Sequence, residues 1–268
     1  DILNGLHQGS LRTDCVKFAW ETAMKIGFVG LGIMGAPMAG HLQTGGHKLY
    51  LYDLVPDLPV ELFQGGGVVC GSGCAVATAS DVIFLMVPDT PDVQAALFDP
   101  GGIAEGLSPG KLLIDMSSIS PTATAEFATQ INQLGCDYLD APVSGGSVGA
   151  VNGTLTIMVG GPKTAFDRAL PLFEQMGGTV TLTGTRNGDG QVCKAANQII
   201  VGVTVQAVAN PIKVQQALMG GAASSTILQN HGARMLAGDF EPGFRAEFQQ
   251  KDLRVVLSAV RDLGWSCP

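Results

Sequence analysis

The sequence predicts an α/β protein, a parallel sheet covered by helices on both faces and followed by an all-helical region. Three observations carry that prediction. Short apolar runs alternate with stretches of helical periodicity between residues 25 and 134, a glycine-rich turn follows the first run, and strand signals stop after about residue 188. The chain has 268 residues, 46% of them hydrophobic and 14% charged, so it can bury a large core in one large or two modest domains.

Residues 1–23, "DILNGLHQGSLRTDCVKFAWETA", show neither strand alternation nor an apolar stripe and are expected to form an N-terminal extension ahead of Met24. "KIGFV" (25–29) then reads as a strand, 33–44 as a helix and "KLYLYD" (48–53) as a strand. "DVIFLMV" (81–87), a helix over 91–98, "KLLID" (111–115) and a helix over 121–134 repeat the pattern. Apolar residues recur at helical spacing through "QVCKAANQIIVGVTVQAVA" (191–209), 211–219, 224–237 and 245–263. The expected division is therefore 1–23 extension, 24–187 dinucleotide-binding domain and 188–268 helical substrate and oligomerisation domain.

The turn after the first strand explains the middle assignment. Gly30, Gly32 and Gly35 form G-x-G-x-x-G between a strand and a helix, and Asp53 ends the next strand eighteen positions beyond Gly35. The first glycine permits the tight turn, the second lets backbone approach a pyrophosphate, and the third lets helix pack on strand. The six residues Gly30, Leu31, Gly32, Ile33, Met34 and Gly35 thus bring backbone N–H groups and a helix N-terminus to the phosphates. A carboxylate at Asp53 would accept from ribose hydroxyls and repel a 2′-phosphate, which favours NAD over NADP. This is a Rossmann-type doubly wound sheet.

Charge and composition exclude other classes. The net charge of −8 would repel polyphosphate backbones and no basic stripe is present, so nucleic acid is not expected as a partner. Apolar runs such as "IIVGVTVQAVA" (199–209) fall short of the roughly 20 residues that span a bilayer, so no membrane partner and a cytoplasmic location are expected. Six cysteines at 15, 70, 74, 136, 193 and 267 lack the even spacing of a secreted disulfide scaffold and read as reduced thiols. No metal site is expected, because "CGSGC" (70–74) lacks enough further ligands.

Two further stretches carry chemistry. "DAPVSGGSVGAVNGTLTIMVGG" (140–161) contains a literal match to the nucleophile-elbow pattern around Ser147. An elbow needs a helix after the serine, whereas Asn152-Gly153 signals a turn and "TLTIMV" a strand. The stretch reads better as an anion cradle, with small residues exposing backbone N–H groups and Ser144 adding a hydroxyl for a substrate carboxylate. In "GDGQVCKAANQ" (188–198), Lys194 stands one helical turn before Asn197 and Gln198. Histidines are scarce, so this lysine is the economical proton donor to a carbonyl oxygen, with partial burial lowering its pKa.

Taken in order, "IGFVGLGIMGAPMAGHL", "DAPVSGGSVGAVNGTL", "GDGQVCKAANQ" and "FQQKDL" (248–253) resemble the motifs of the β-hydroxyacid dehydrogenase family over roughly residues 24 to 263. The resemblance implies that Ser144, Gly145 and Gly146 hold a substrate carboxylate, Lys194 donates the proton, and Asn197 and Gln198 orient the substrate. It also implies that Val87, Pro88, Ser118 and Lys251 lie near the cofactor. "IDMSSISP" and the lysine followed by "AANQ" look closest to the family's tartronate semialdehyde-reducing branch, so NADH-dependent reduction of that semialdehyde to D-glycerate is expected. Dehydrogenation of 3-hydroxyisobutyrate or another short 3-hydroxy acid is the alternative. The family also implies a homo-oligomer. The resemblance implies about a dozen more residues between "QAVA" and "NPIKVQQAL" and one or two further helices after "LGWSCP", and Pro211 is expected to end the long helix early. A nucleotide-binding homologue with impaired turnover is therefore a second alternative.

Overall fold

The computed structural model describes residues 23–55, 58–208, 219, 224–239 and 245–262. The expected extension over 1–22, the helix over 211–219 apart from Met219, and the effect of Pro211 lie outside these residues. The described chain runs through β1 (Lys25–Val29), α1 (Gly35–Thr44), β2 (Lys48–Tyr52), α2 (Val60–Gln64), β3 (Val68–Val69), α3 (Gly73–Ala79), β4 (Val82–Leu85) and α4 (Thr90–Phe98), of which α2, β3 and α3 are not among the elements expected from the sequence. It continues through β5 (Leu112–Asp115), α5 (Pro121–Gln133), β6 (Asp137–Asp140), β7 (Val143–Ser144), α6 (Gly146–Asn152), β8 (Leu155–Gly160), α7 (Lys163–Met176) and β9 (Gly177–Gly184). After β9 the described residues form α8 (Asp189–Val208), a π turn (Leu228–Gly232) running into α9 (Ala233–Ala237), and α10 (Ala246–Asp262).

Strand order is β3-β2-β1-β4-β5-β6-β8-β7, with β9 beside β8. All pairs from β3 to β6 are parallel, β8 meets β6 and β7 antiparallel, and β9 runs parallel to β8. The order 3-2-1-4-5-6 is that of the dinucleotide-binding sheet, and it puts a topological switch point between β1 and β4.

The central strands are continuous apolar runs because both faces are covered. In β4, "VIFL" is buried throughout. Phe84 joins Ile26, Phe28, Met38 and Phe173 in the layer under α1 and α7, whereas Ile83 and Leu85 join Val76, Val93, Leu97 and Phe127 under α3, α4 and α5. Phe28 stacks on Phe84 at 5.7 Å between ring centroids, and Phe173 meets Phe84 edge-on. With each strand contributing to both layers, the C-terminal ends of β1, β4 and β5 are held in line at one edge.

Candidate functional site

At the end of β1 the three glycines have three different surroundings. Gly30 has φ +90, and a side chain there would run into the Met86 carbonyl beyond β4. Gly35 faces the Gly30 carbonyl oxygen so closely that a methyl group has no room. Around the Cβ position of Gly32, by contrast, no described atom lies within 4 Å. The turn is closed where strand and helix must meet and open between them, which is the shape a pyrophosphate requires. Asp53 is part of this turn: Leu31 N–H donates to its Oδ2 at 2.5 Å and Val55 N–H to its Oδ1 at 2.9 Å. Its carboxylate is thereby fixed at the tip of β2, beside the nucleotide turn.

The next two strand ends are laced together. Val87 N–H donates to Ser117 Oγ at 3.0 Å, and Ser117 N–H donates to Asp115 Oδ1 at 2.9 Å. Pro88 is exposed at the rim and Ser118 half-buried. Gln191, one turn before Lys194, then staples α8 to this loop: it accepts from Ile119 N–H at 3.1 Å and donates to the Ser117 carbonyl at 2.8 Å.

The start of α8 is held by a carboxylate. Asp140, wholly buried at the end of β6, accepts from Gly188 N–H at 2.8 Å and from Gln191 N–H at 3.1 Å, which satisfies donors that a helix N-terminus leaves unpaired. Burial nevertheless pushes its pKa up to about 6, against the lowering effect of those backbone hydrogen bonds. Its register neighbour Asp115 is pushed up to about 6 as well, by burial first, while the hydrogen bonds from Ser117 and Tyr138 hold it back and Asp140 adds repulsion. Gly160 and Gly190 pack against the Asp140 carboxylate with no room for a Cβ.

Farther along α8 a polar cluster closes against α10. Lys194, Gln198, Lys251 and Asp252 are 8%, 4%, 7% and 6% exposed. Lys194 Nζ donates to Gln198 Oε1 at 2.9 Å, and Gln198 Nε2 donates to Asp252 Oδ2 and, at 3.3 Å, to Gln249 Oε1. Lys251 pairs with Asp252 Oδ1 at 2.8 Å and donates to the Ser118 carbonyl. Burial lowers the Lys194 pKa to about 8; Asp252 acts against that shift and Lys251 adds to it. Asn197 Oδ1 is buried and has no hydrogen-bond partner among the described residues. A narrow cleft opens here between Ser118, Ile119, Lys194, Gln198 and Asp252. A cavity of about 270 Å³ lies instead at the opposite end of the sheet, between Met24, Asp81, Lys111 and Arg168, away from the strand ends where open α/β sheets bind ligands.

The cradle residues sit on β7 and the start of α6. Gly145 (φ +135) and Gly146 (φ +61) adopt backbone conformations that favour glycine. The expectation of a plain turn and strand after Ser147 is corrected here, because Gly146–Asn152 is helical. Asn152-Gly153 does turn the chain, as a left-handed helix C-cap at Gly153 (φ 65) leading into β8. His41 at the end of α1 braces this helix, its Nε2 facing the carbonyls of Ala150 at 2.9 Å and Val151 at 3.1 Å. Among the described residues, no hydrogen bond links Ser144, Gly145 or Gly146 to the Lys194 cluster.

The structure thus brings Lys194, Gln198 and Ser118 to one cleft, with Lys251 joined to it through the Ser118 carbonyl and Asp252, and Gly30–Gly35 to one turn with Asp53. Sequence reasoning gave no role to Asp140, Gln191 or Asp252, although each lies in one of the motif stretches quoted above. Cys70, Cys74, Cys136 and Cys193 are free thiols. Among the described residues no three His, Cys, Asp or Glu side chains come together to hold a metal ion, and no helix is long and apolar enough to cross a membrane.

A switch-point glycine turn, a fixed carboxylate on the next strand and, among the described residues, helices alone after Asp189 define a nicotinamide nucleotide-binding oxidoreductase. The model of the NAD binding domain of 6-phosphogluconate dehydrogenase matches residues 25–184, and that of the NAD-binding region of NADP-dependent 3-hydroxyisobutyrate dehydrogenase matches 188–268. The chain belongs to this hydroxyacid dehydrogenase family and is an oxidoreductase acting on CH–OH groups. It is 50% identical to the 2-hydroxy-3-oxopropionate reductase of Escherichia coli over 256 residues, covering 91% of this chain and 87% of that one. It is 34% identical to the NAD-dependent L-serine dehydrogenase of Pseudomonas aeruginosa, with 91% and 88% covered. Among solved structures, Mycobacterium tuberculosis 3-hydroxyisobutyrate dehydrogenase with L-serine superposes with a TM-score of 0.82 at 29% identity, covering 92% and 90%.

Proposed function

We propose that the protein reduces tartronate semialdehyde (2-hydroxy-3-oxopropionate) to D-glycerate, with NADH preferred over NADPH. The observation that carries this reading is the buried Lys194 with a pKa near 8, facing the cleft beside Ser118. Half the residues are shared with the Escherichia coli reductase of that semialdehyde, and Gln198 rather than asparagine stands four positions after the lysine.

In this reading the backbone of Gly30, Leu31, Gly32, Ile33, Met34 and Gly35 holds the pyrophosphate, and Asp53 takes the ribose hydroxyls. Val87, Pro88, Ser118 and Lys251 flank the nicotinamide end. When bound, the reduced nucleotide supplies a hydride to the aldehyde carbon. Ser144, Gly145 and Gly146 hold the substrate carboxylate, and Asn197 and Gln198 orient the substrate. Lys194 points its ammonium at the aldehyde oxygen, stabilises the charge that grows there and gives up one proton, completing the alcohol.

The dinucleotide-binding part comprises residues 24–187 and the helical part 188–268. Val192, Ile199, Ile200 and Val203 stay exposed along α8, a patch consistent with a homo-oligomer. Oxidation of NADH and NADPH is to be compared with tartronate, methylmalonate and succinate semialdehydes. The expected result is the highest kcat/KM for tartronate semialdehyde and at least about tenfold preference for NADH, a difference of about 1.4 kcal/mol. Turnover of another semialdehyde with none of tartronate semialdehyde would overturn the substrate, and equal use of NADPH the role of Asp53.

A further inference from the structure

Lys194 is held through a run of hydrogen bonds that ends on α10. Lys194 can only donate hydrogen bonds and the Asp252 carboxylate can only accept them. Gln198 lies between them with its oxygen on the lysine and its nitrogen on the aspartate, so both ends dictate the same orientation of the amide. Gln249 offers Gln198 Nε2 a second, longer acceptor at 3.3 Å, and its own amide nitrogen donates to the Gln198 carbonyl. The other oxygen of Asp252 is fixed by Lys251, which is anchored in turn on the Ser118 carbonyl. The charged groups acting on Lys194 from the elements packed against α8 are Asp252 and Lys251, both on α10.

We infer that Asp252 is a positioning residue for the reaction: through the Gln198 amide it keeps a carbonyl oxygen aimed at Lys194 Nζ and so holds the ammonium charged and in place. This rests on the reading of Lys194 as proton donor. An asparagine at 252 can turn either its oxygen or its nitrogen toward Gln198. The amide is then free to flip, and a flipped amide puts N–H groups against an ammonium. Chain length enters too. An asparagine at 198 is one methylene shorter and cannot span from Lys194 to Asp252, so Gln198→Asn should have the same effect as Asp252→Asn.

The test reads Lys194 ionisation without turnover, by the pH dependence of its acetylation followed by peptide mass spectrometry, alongside the pH profile of semialdehyde reduction. Asp252→Asn is expected to lower the labelling midpoint by about one pH unit, the change produced by a tenfold shift in proton affinity. The alkaline limb of kcat should move with it. Asp252→Glu, which restores an acceptor-only group, should return both toward wild type, and combining Asp252→Asn with Gln198→Asn should add nothing to either alone. If Asp252→Asn does not melt cooperatively, Gln198→Asn carries the same expectation. Superimposable labelling curves and pH profiles would overturn the inference. Failure of the functional reading looks different: Lys194→Ala would keep turnover, whereas the labelling midpoints would still decide the role of Asp252.

Discussion

The turn after β1 and the cluster between α8 and α10 are built in opposite ways. The turn is shaped by side chains left out: Gly30 and Gly35 are closed by backbone and Gly32 is open. The cluster is made of four polar side chains packed together with almost no solvent. A site made of backbone tolerates pH and side-chain disorder but no added atom. A site made of buried charges depends on every partner, because a charge left alone in the interior is costly.

The largest expected effect probes the second kind of site. Lys194→Ala should lower kcat for semialdehyde reduction on the order of 10³-fold, within the range of general acid catalysis, and should remove the alkaline limb of the pH profile. With Lys194 as the proposed donor, reduction consumes the ammonium form, so the wild-type rate is expected to fall as pH rises through about 8. Oxidation of the hydroxy acid needs the neutral amine and rises over the same interval. Initial rates in both directions between pH 6 and 10 check this.

Next come the buried carboxylates that hold the cluster to the sheet. Asp115 and Asp140 are raised to about 6 in the fold, so the folded protein takes up protons that the unfolded chain releases. Their stabilisation is complete below about pH 4 and is lost as pH rises through about 6. Asp115→Asn should remove a contribution on the order of 3 kcal/mol to that dependence. Its amide can still accept from Ser117 N–H and donate to the Tyr138 oxygen. Urea melts between pH 4 and 7 should show stability falling with pH in the wild type and a flatter dependence in the variant.

The glycines sharpen the contrast from the other side. Gly35→Ala forces a methyl group against the Gly30 carbonyl and should destabilise the fold by about 1–3 kcal/mol. Gly32→Ala meets no described atom within 4 Å and should leave Tm unchanged. It should weaken NADH binding by about tenfold, or 1.4 kcal/mol, read by calorimetry. If Gly32→Ala lost stability, or kept full affinity, the backbone-built reading of the turn would fail.

The same contrast decides what could be read in advance. G-x-G-x-x-G and Asp53 are visible because one strand, one turn and the next strand impose fixed spacing. Lys194 is visible because residue type and helical spacing single it out. Asp252, Gln191 and Asp140 come from distant segments and meet only in three dimensions. α6 was hidden because a glycine at positive φ serves a hairpin turn and a helix C-cap equally. β9, "GGTVTLTG", starts and ends in glycine and is half-exposed, which masks the alternation that marks a strand.

His41 links the two glycine-rich loops, with one ring nitrogen against two carbonyl oxygens at the end of α6. Oxygens of that kind only accept, so Nε2 is the donor of this contact. His41 thereby ties α1, which starts at the glycine turn, to the end of α6, although 109 residues of chain separate it from Ala150.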